Sequence, residues 1–128
     1  MNISVSKKTQ KNPRQDILDN MNEQKFHVGT KALILNDENK ILILKANSKE
    51  LKGNCSAHWD LPGGRIKIGE IPEESLRKEV KEELGIEGKD VKIVRLFDAS
   101  ISNLKIPVGD ESFGLVLFVY LCKLKKKI

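Results

Sequence analysis

Aromatic residues are scarce in this chain: one Trp, one Tyr and four Phe, 5% of 128 residues. Surfaces that stack successive nucleic-acid bases need several such rings, so a single-strand-binding role is argued against from the outset. Cysteine is scarcer still. Cys55 and Cys122 stand far apart and form no CxxC or zinc-spaced pattern, which makes reduced thiols in the cytoplasm the expectation. Cys55 falls in a polar loop and reads as incidental. The longest apolar run, Leu115 to Cys122, is too short to span a bilayer, and the N-terminus has no signal-peptide pattern. A soluble protein is expected, without internal repeats or low-complexity domains.

Charge is present in excess of one sign: 23 Lys plus Arg against 18 Asp plus Glu, a formal net charge of +5. Such a balance favours polyanionic partners, nucleotides included. Its distribution weakens a nucleic-acid reading, because Lys7, Lys8, Lys11 and Arg14 lie near one terminus and Lys123, Lys125, Lys126 and Lys127 near the other. Charge runs at termini are usually solvated tails. The length suits one domain, expected over residues 25–128, with residues 1–24 as a partly disordered extension. Within that extension Pro13 to Met21 predicts a short helix with Ile17, Leu18 and Met21 as its apolar contacts.

The chemistry concentrates between Gly64 and Ile86. Pro72 suits a first helical position, Glu73 and Glu74 follow where the macrodipole favours negative charge, and Gly85 suits a helix end, which predicts a helix over Pro72 to Leu84. Leu76, Val80 and Leu84 form its apolar stripe. Glu79, Glu82 and Glu83, three and four positions apart, share one flank. Taken alone, a helix this rich in charge is usually a solvated face laced with pairs such as Glu74 with Lys78. Stacked like charges repel, however, and a hard cation such as Mg²⁺ or Mn²⁺, held by carboxylates and substrate phosphates, is the natural offset. Upstream, Trp59 to Gly64 reads as a short strand entering a loop whose two glycines let the backbone approach a ligand. Glu70 either reaches the same cation or braces that loop. His27 and His58 lack metal-spaced partners, and Trp59 reads as a packing residue.

Gly64, Glu70, Glu79, Val80, Glu82, Glu83, Gly85 and Ile86 match, position for position, the box G-x5-E-x7-R-E-U-x-E-E-x-G-U, where U is a bulky aliphatic. The chain thereby resembles the Nudix hydrolase family over about a fifth of its length. Lys78 departs from the pattern's arginine; Arg77 precedes it, but adjacent helix residues point about a hundred degrees apart. Arginine would offer a rigid fork to a neighbouring carboxylate, and lysine offers a flexible point charge.

The flanking segments agree with the resemblance. Phe26 to Leu35 and Ile41 to Leu44 are predicted strands joined by a turn at Asn36 to Lys40, and Val91 to Phe97 and Leu115 to Cys122 supply two more. The resemblance implies an α/β fold, a Nudix-type α/β/α sandwich with a mixed sheet. Domains of the family usually continue past the strand corresponding to Leu115 to Cys122, whereas this sequence stops at Ile128. Short or missing C-terminal elements would leave apolar sheet surface uncovered, and a homodimer is one expectation.

The implied activity is Mg²⁺-dependent (Mn²⁺ as the alternative) hydrolysis of the pyrophosphate bond in a nucleoside triphosphate or another nucleoside diphosphate-linked compound. In that reading Glu79, Glu82, Glu83 and Gly64 are the metal-binding residues. Glu83 is the preferred base, with Glu79 and Lys78 beside it in catalysis, and Gly63, Gly64 and Arg65 contact substrate. Glu70, Asp110 or Glu111 are alternative bases from outside that set. Loops Asn47 to Ala57 and Ser100 to Phe113 would read the rest of the substrate. The rival reading is a Nudix-like module that binds a nucleotide without cleaving it; RNA cap hydrolysis is a lesser enzymatic variant.

Overall fold

The computed structural model describes residues 3, 4, 12–14, 17, 22–45 and 59–125. His58, Cys55 and the loop Asn47 to Ala57 lie outside the described residues.

Strand β1, Phe26–Leu35, organises the molecule. Its alternation buries Thr30, Ala32 and Ile34 on one face, as a half-covered strand requires. Strands β2 (Leu44–Lys45) and β3 (Trp59–Asp60) form a small antiparallel ladder of their own. Strand β4, Gly63–Arg65, then pairs antiparallel with β1. Helix α1 follows over Pro72–Leu84, with Pro72 in its first turn and Gly85 closing it in the left-handed conformation, φ 70°. A short 3-10 turn, Gly88–Asp90, leads into β5 (Val91–Val108) and β6 (Glu111–Leu124).

The main sheet runs β4-β1-β6-β5, with β1 parallel to β6 and the other neighbours antiparallel. The expected mixed sheet with a helix packed on it is therefore present, and the described residues supply one helical layer. Leu76 and Val80 of α1 close a core with Ala32, Ile34, Val91, Tyr120 and Cys122, while Leu84 packs at its margin. Each fully buried side chain of this size contributes about 1.5–3 kcal/mol. Arg77 donates to the carbonyls of Gly88 and Val91 at 2.8 and 2.6 Å, fixing the chain between α1 and β5.

Several expectations need correction. The Gly63-Gly64 segment is a strand, because its pairing with β1 outweighs the turn preference of glycine; a Cβ on Gly63 would lie 1.9 Å from the Thr30 carbonyl oxygen. Ile41 makes only a bridge to Leu35, and the regular strand begins at Leu44. The turn at Asn36 to Lys40 is present, its Asn36 Oδ1 accepting the Glu38 and Lys40 N–H groups at 2.9 Å each. Ser100 to Phe113 is the outer half of a long β5–β6 hairpin, reversed at Gly109, φ 61°. Trp59 is 62% exposed, because β3 sits outside the main sheet, and Ile17 is equally exposed.

Candidate active site

The C-terminal half of α1 lies beside the start of β4. Gly63 donates its backbone N–H to Glu83 Oε2 at 3.3 Å. One residue on, a Cβ built on Gly64 would stand 2.7 Å from Glu79 Cδ and 2.8 Å from its Oε1. Two carboxylates of the predicted set thus meet both glycines. Burial pushes the Glu83 carboxyl above its ordinary value; the Gly63 N–H opposes this and the Glu79 charge adds to it. Neither Glu79 nor Glu83 has an ion-pair partner among the described residues.

Glu82, like Glu83, is exposed, and its charge adds to the field at Lys78. No three His, Cys, Asp or Glu side chains among the described residues gather around one point. Arg65 is exposed on β4 opposite Gly29. Lys78 is engaged elsewhere: its ammonium lies 3.4 Å from Glu70 Oε2. Glu70 also accepts the Lys67 N–H at 2.8 Å, so it braces the loop before α1. That N–H, more than Lys78, holds the Glu70 carboxyl below its ordinary value, against the upward push of desolvation. Glu111 pairs with Lys25 at 3.0 Å near the hairpin tip, beside Asp110, and no described contact joins either to Glu79 or Glu83.

One charged pair beside the glutamates was not anticipated. Lys31 of β1 is in register with Gly63, and its Nζ donates to Asp60 Oδ2 at 2.8 Å and to the Leu61 carbonyl at 3.3 Å. The available signal was a lone lysine inside the apolar run Phe26 to Leu35; its partner, twenty-nine residues away, was not readable from spacing.

The chain belongs to the NUDIX domain family, whose model matches residues 25–128. Over 67 residues it is 31% identical to an 8-oxo-dGTP diphosphatase of Proteus vulgaris, covering 52% of this chain and 56% of that protein. It is 43% identical over 53 residues to an ADP-ribose pyrophosphatase of Methanocaldococcus jannaschii, 41% of this chain and 29% of that protein. The chain thus spans little more than half of the first relative and under a third of the second. Among solved structures, a NUDIX hydrolase from Nitrosomonas europaea superposes with a TM-score of 0.57 at 18% identity, covering 78% of this chain and 60% of that one. The last likeness concerns the fold alone.

Proposed function

We propose that this chain is a divalent-metal-dependent Nudix hydrolase that cleaves the pyrophosphate bond of a nucleoside triphosphate or another nucleoside diphosphate-linked compound. The observation that carries this reading is the seating of Glu79 and Glu83 against the side-chain-free backbone of Gly64 and Gly63. Two adjacent carboxylates without cationic partners among the described residues, one with its pKa raised by burial, have the chemistry of a hard-cation site. Glu79 and Glu83 would hold the cation, with exposed Glu82 joining by side-chain rotation and Gly64 keeping the approach open. A bound cation supplies neutralisation of phosphate charge.

The protein's own groups do the rest. Glu83 accepts the proton of the attacking water. The Gly63 N–H keeps that carboxylate oriented. Arg65 contacts the substrate from β4, and Lys78 steadies Glu70 and the loop entering α1. The names of the relatives support a nucleotide or nucleoside-diphosphate substrate, 8-oxo-dGTP and ADP-ribose among them. The catalytic unit in this reading is residues 25–128, acting in the cytoplasm with Mg²⁺ or Mn²⁺. A homodimer belongs to the same proposal, motivated by apolar Val94, Leu96, Phe97, Ile101, Leu104 and Val108 exposed along β5. Sedimentation as a monomer at micromolar concentration would remove it.

The deciding experiment incubates the protein with NTPs, 8-oxo-dGTP, ADP-ribose, dinucleoside polyphosphates and sugar nucleotides, with and without Mg²⁺ or Mn²⁺. Metal-dependent release of a nucleoside monophosphate is expected from at least one. Binding without cleavage of any would replace this reading with that of a nucleotide-binding module.

A further inference from the structure

We propose that the buried hydroxyls of Thr30 and Ser75 position the Glu79 carboxylate, as hydrogen-bond donors set beneath it on β1 and α1. The inference rests on the reading of Glu79 as a cation ligand and gives Thr30 and Ser75 a positioning role, with no contact to reacting atoms.

Among the described residues, the buried side-chain polar atoms without a hydrogen-bond partner are His27 Nε2, Thr30 Oγ1 and Ser75 Oγ. Thr30 is 0% exposed and Ser75 1%. An unpaired hydroxyl buried this deeply is destabilising, and an apolar residue of the same size would remove the cost. The surroundings are apolar: Thr30 shares its face of β1 with Ala32 and Ile34, and Ser75 stands next to Leu76 on α1. Packing alone gives no reason for a hydroxyl at either place.

Their placement supplies one. Thr30 is the register partner of Gly64. Residues facing each other across an antiparallel pair carry their Cβ atoms on the same face, about 5 Å apart. Gly64 has no Cβ, and the Glu79 carboxylate fills the space, with Cδ 2.7 Å and Oε1 2.8 Å from where that atom would stand. Thr30 therefore faces the Glu79 carboxylate across the bare backbone of Gly64, on the sheet face that α1 covers. Ser75 adjoins the same side chain from the helix. It precedes Glu79 by four residues, which puts their Cβ atoms about 5–6 Å apart on one helix face. Helical side chains lean toward the N-terminus, so Glu79 lies back over the turn that holds Ser75. Two spacings, one set by the sheet and one by the helix, converge on one carboxylate. A rotation of the Glu79 side chain, or one bridging water, completes the hydrogen bonds. Metal-binding carboxylates are commonly held by partners of this kind.

The test compares Thr30→Val, Thr30→Ser and Ser75→Ala in the full chain. Thr30→Val keeps the shape and loses the hydroxyl, so the metal-free protein should melt at the parent temperature or about 2–6 °C above it. Its Kd for Mn²⁺ in calorimetric titration should nevertheless rise about tenfold or more. Ser75→Ala should weaken Mn²⁺ binding in the same way. Thr30→Ser keeps the hydroxyl and loses a methyl group; it should melt below Thr30→Val and yet bind Mn²⁺ within about threefold of the parent. If the two hydroxyls served packing alone, binding would follow stability instead. The ¹³C resonance of the Glu79 carboxyl carbon in the metal-free chain, assigned with Glu79→Gln, gives a readout that needs no cation. It should move in Thr30→Val and Ser75→Ala and stay near the parent position in Thr30→Ser. A resonance unmoved in both hydroxyl-free variants, or Mn²⁺ binding as weak in Thr30→Ser as in Thr30→Val, overturns the proposal and leaves the hydrolase reading intact. A parent protein that binds no Mn²⁺ and cleaves nothing overturns the hydrolase reading, and the resonance alone then decides whether the hydroxyls hold Glu79.

Discussion

The Glu79 carboxylate occupies the space that a side chain on Gly64 would need, 2.7 Å from the nearest position of such a Cβ. The obstruction is the far end of a flexible side chain, so the fold can accommodate a methyl group by displacing Glu79. Gly64→Ala is therefore expected to melt close to the parent, within about 1 kcal/mol, while losing at least about tenfold in metal-dependent turnover. Unchanged turnover would show that Glu79 needs no fixed place beside β4.

Gly63→Ala has the opposite profile. Its Cβ would meet backbone, the Thr30 carbonyl oxygen at 1.9 Å and Lys31 Cα at 2.9 Å, with φ at 150°. Backbone cannot rotate aside. A stability loss of about 2–4 kcal/mol is expected in denaturant unfolding, because the β1–β4 pairing must open. A variant as stable as the parent would contradict the close approach of the two strands.

These two glycines also mark how far the sequence could be read. Helix α1 was legible because its signals are local: Pro72 at the start, Gly85 at the end and an apolar stripe between. Strand β1 was legible from its sustained apolar run. Gly63–Arg65 reads locally as a turn and becomes a strand only through β1, a partner more than thirty residues away. The outer part of β5, with Ser100, Ser102, Asn103 and Pro107, has loop composition and is ordered by β6, with register shifts that break the alternation. Of the candidate site, the glutamates and glycines were visible through fixed spacing. The Lys31–Asp60 pair arises from cross-strand placement, which no spacing within the motif records.

Replacing Glu83 with Gln keeps the shape and the acceptor for Gly63 but removes both the base and a charge. Turnover should fall about 10²- to 10⁴-fold, with the thermal midpoint little changed or raised as the repulsion with Glu79 is relieved. Glu82→Gln removes a carboxylate that makes no contact with Gly63 or Gly64 among the described hydrogen bonds and should cost at least about tenfold, equivalent to about 1.4 kcal/mol of barrier. A larger loss for Glu82 than for Glu83 in steady-state kinetics would reassign the base.

Lys78 pairs with Glu70 through a single 3.4 Å contact in which Lys78 is 43% exposed. Arginine at this position could grip the carboxylate with two parallel hydrogen bonds and hold the loop entering α1 more firmly. Lys78→Arg should raise kcat/KM by about twofold to fivefold, and Lys78→Met should lower it. The effect on stability stays within about 1 kcal/mol, as for surface pairs generally. Equal kinetics in all three proteins would reduce the Lys78–Glu70 contact to a surface ornament of the fold.

Cys122 is buried in the core against Ala32, Ile34 and Leu76, and burial pushes its thiol up to about 11 from an ordinary 9.0. Between those values the unfolded chain releases this proton and the folded chain retains it. Stability is therefore complete below about pH 9 and declines as pH rises toward 11, by a total of about 2–3 kcal/mol from this group. Burial also raises the Tyr120 phenol, which acts in the same direction at high pH, so the contribution of the thiol must be isolated by difference. Urea unfolding at pH 8 and pH 10.5 should show a smaller alkaline loss in Cys122→Ala than in the parent, although the variant starts from lower stability. The same burial predicts slow alkylation: in a Cys55→Ser background, iodoacetamide should label Cys122 only as fast as the chain unfolds. Rapid labelling of the native protein would place the thiol at the surface and break the core through which β6 meets α1.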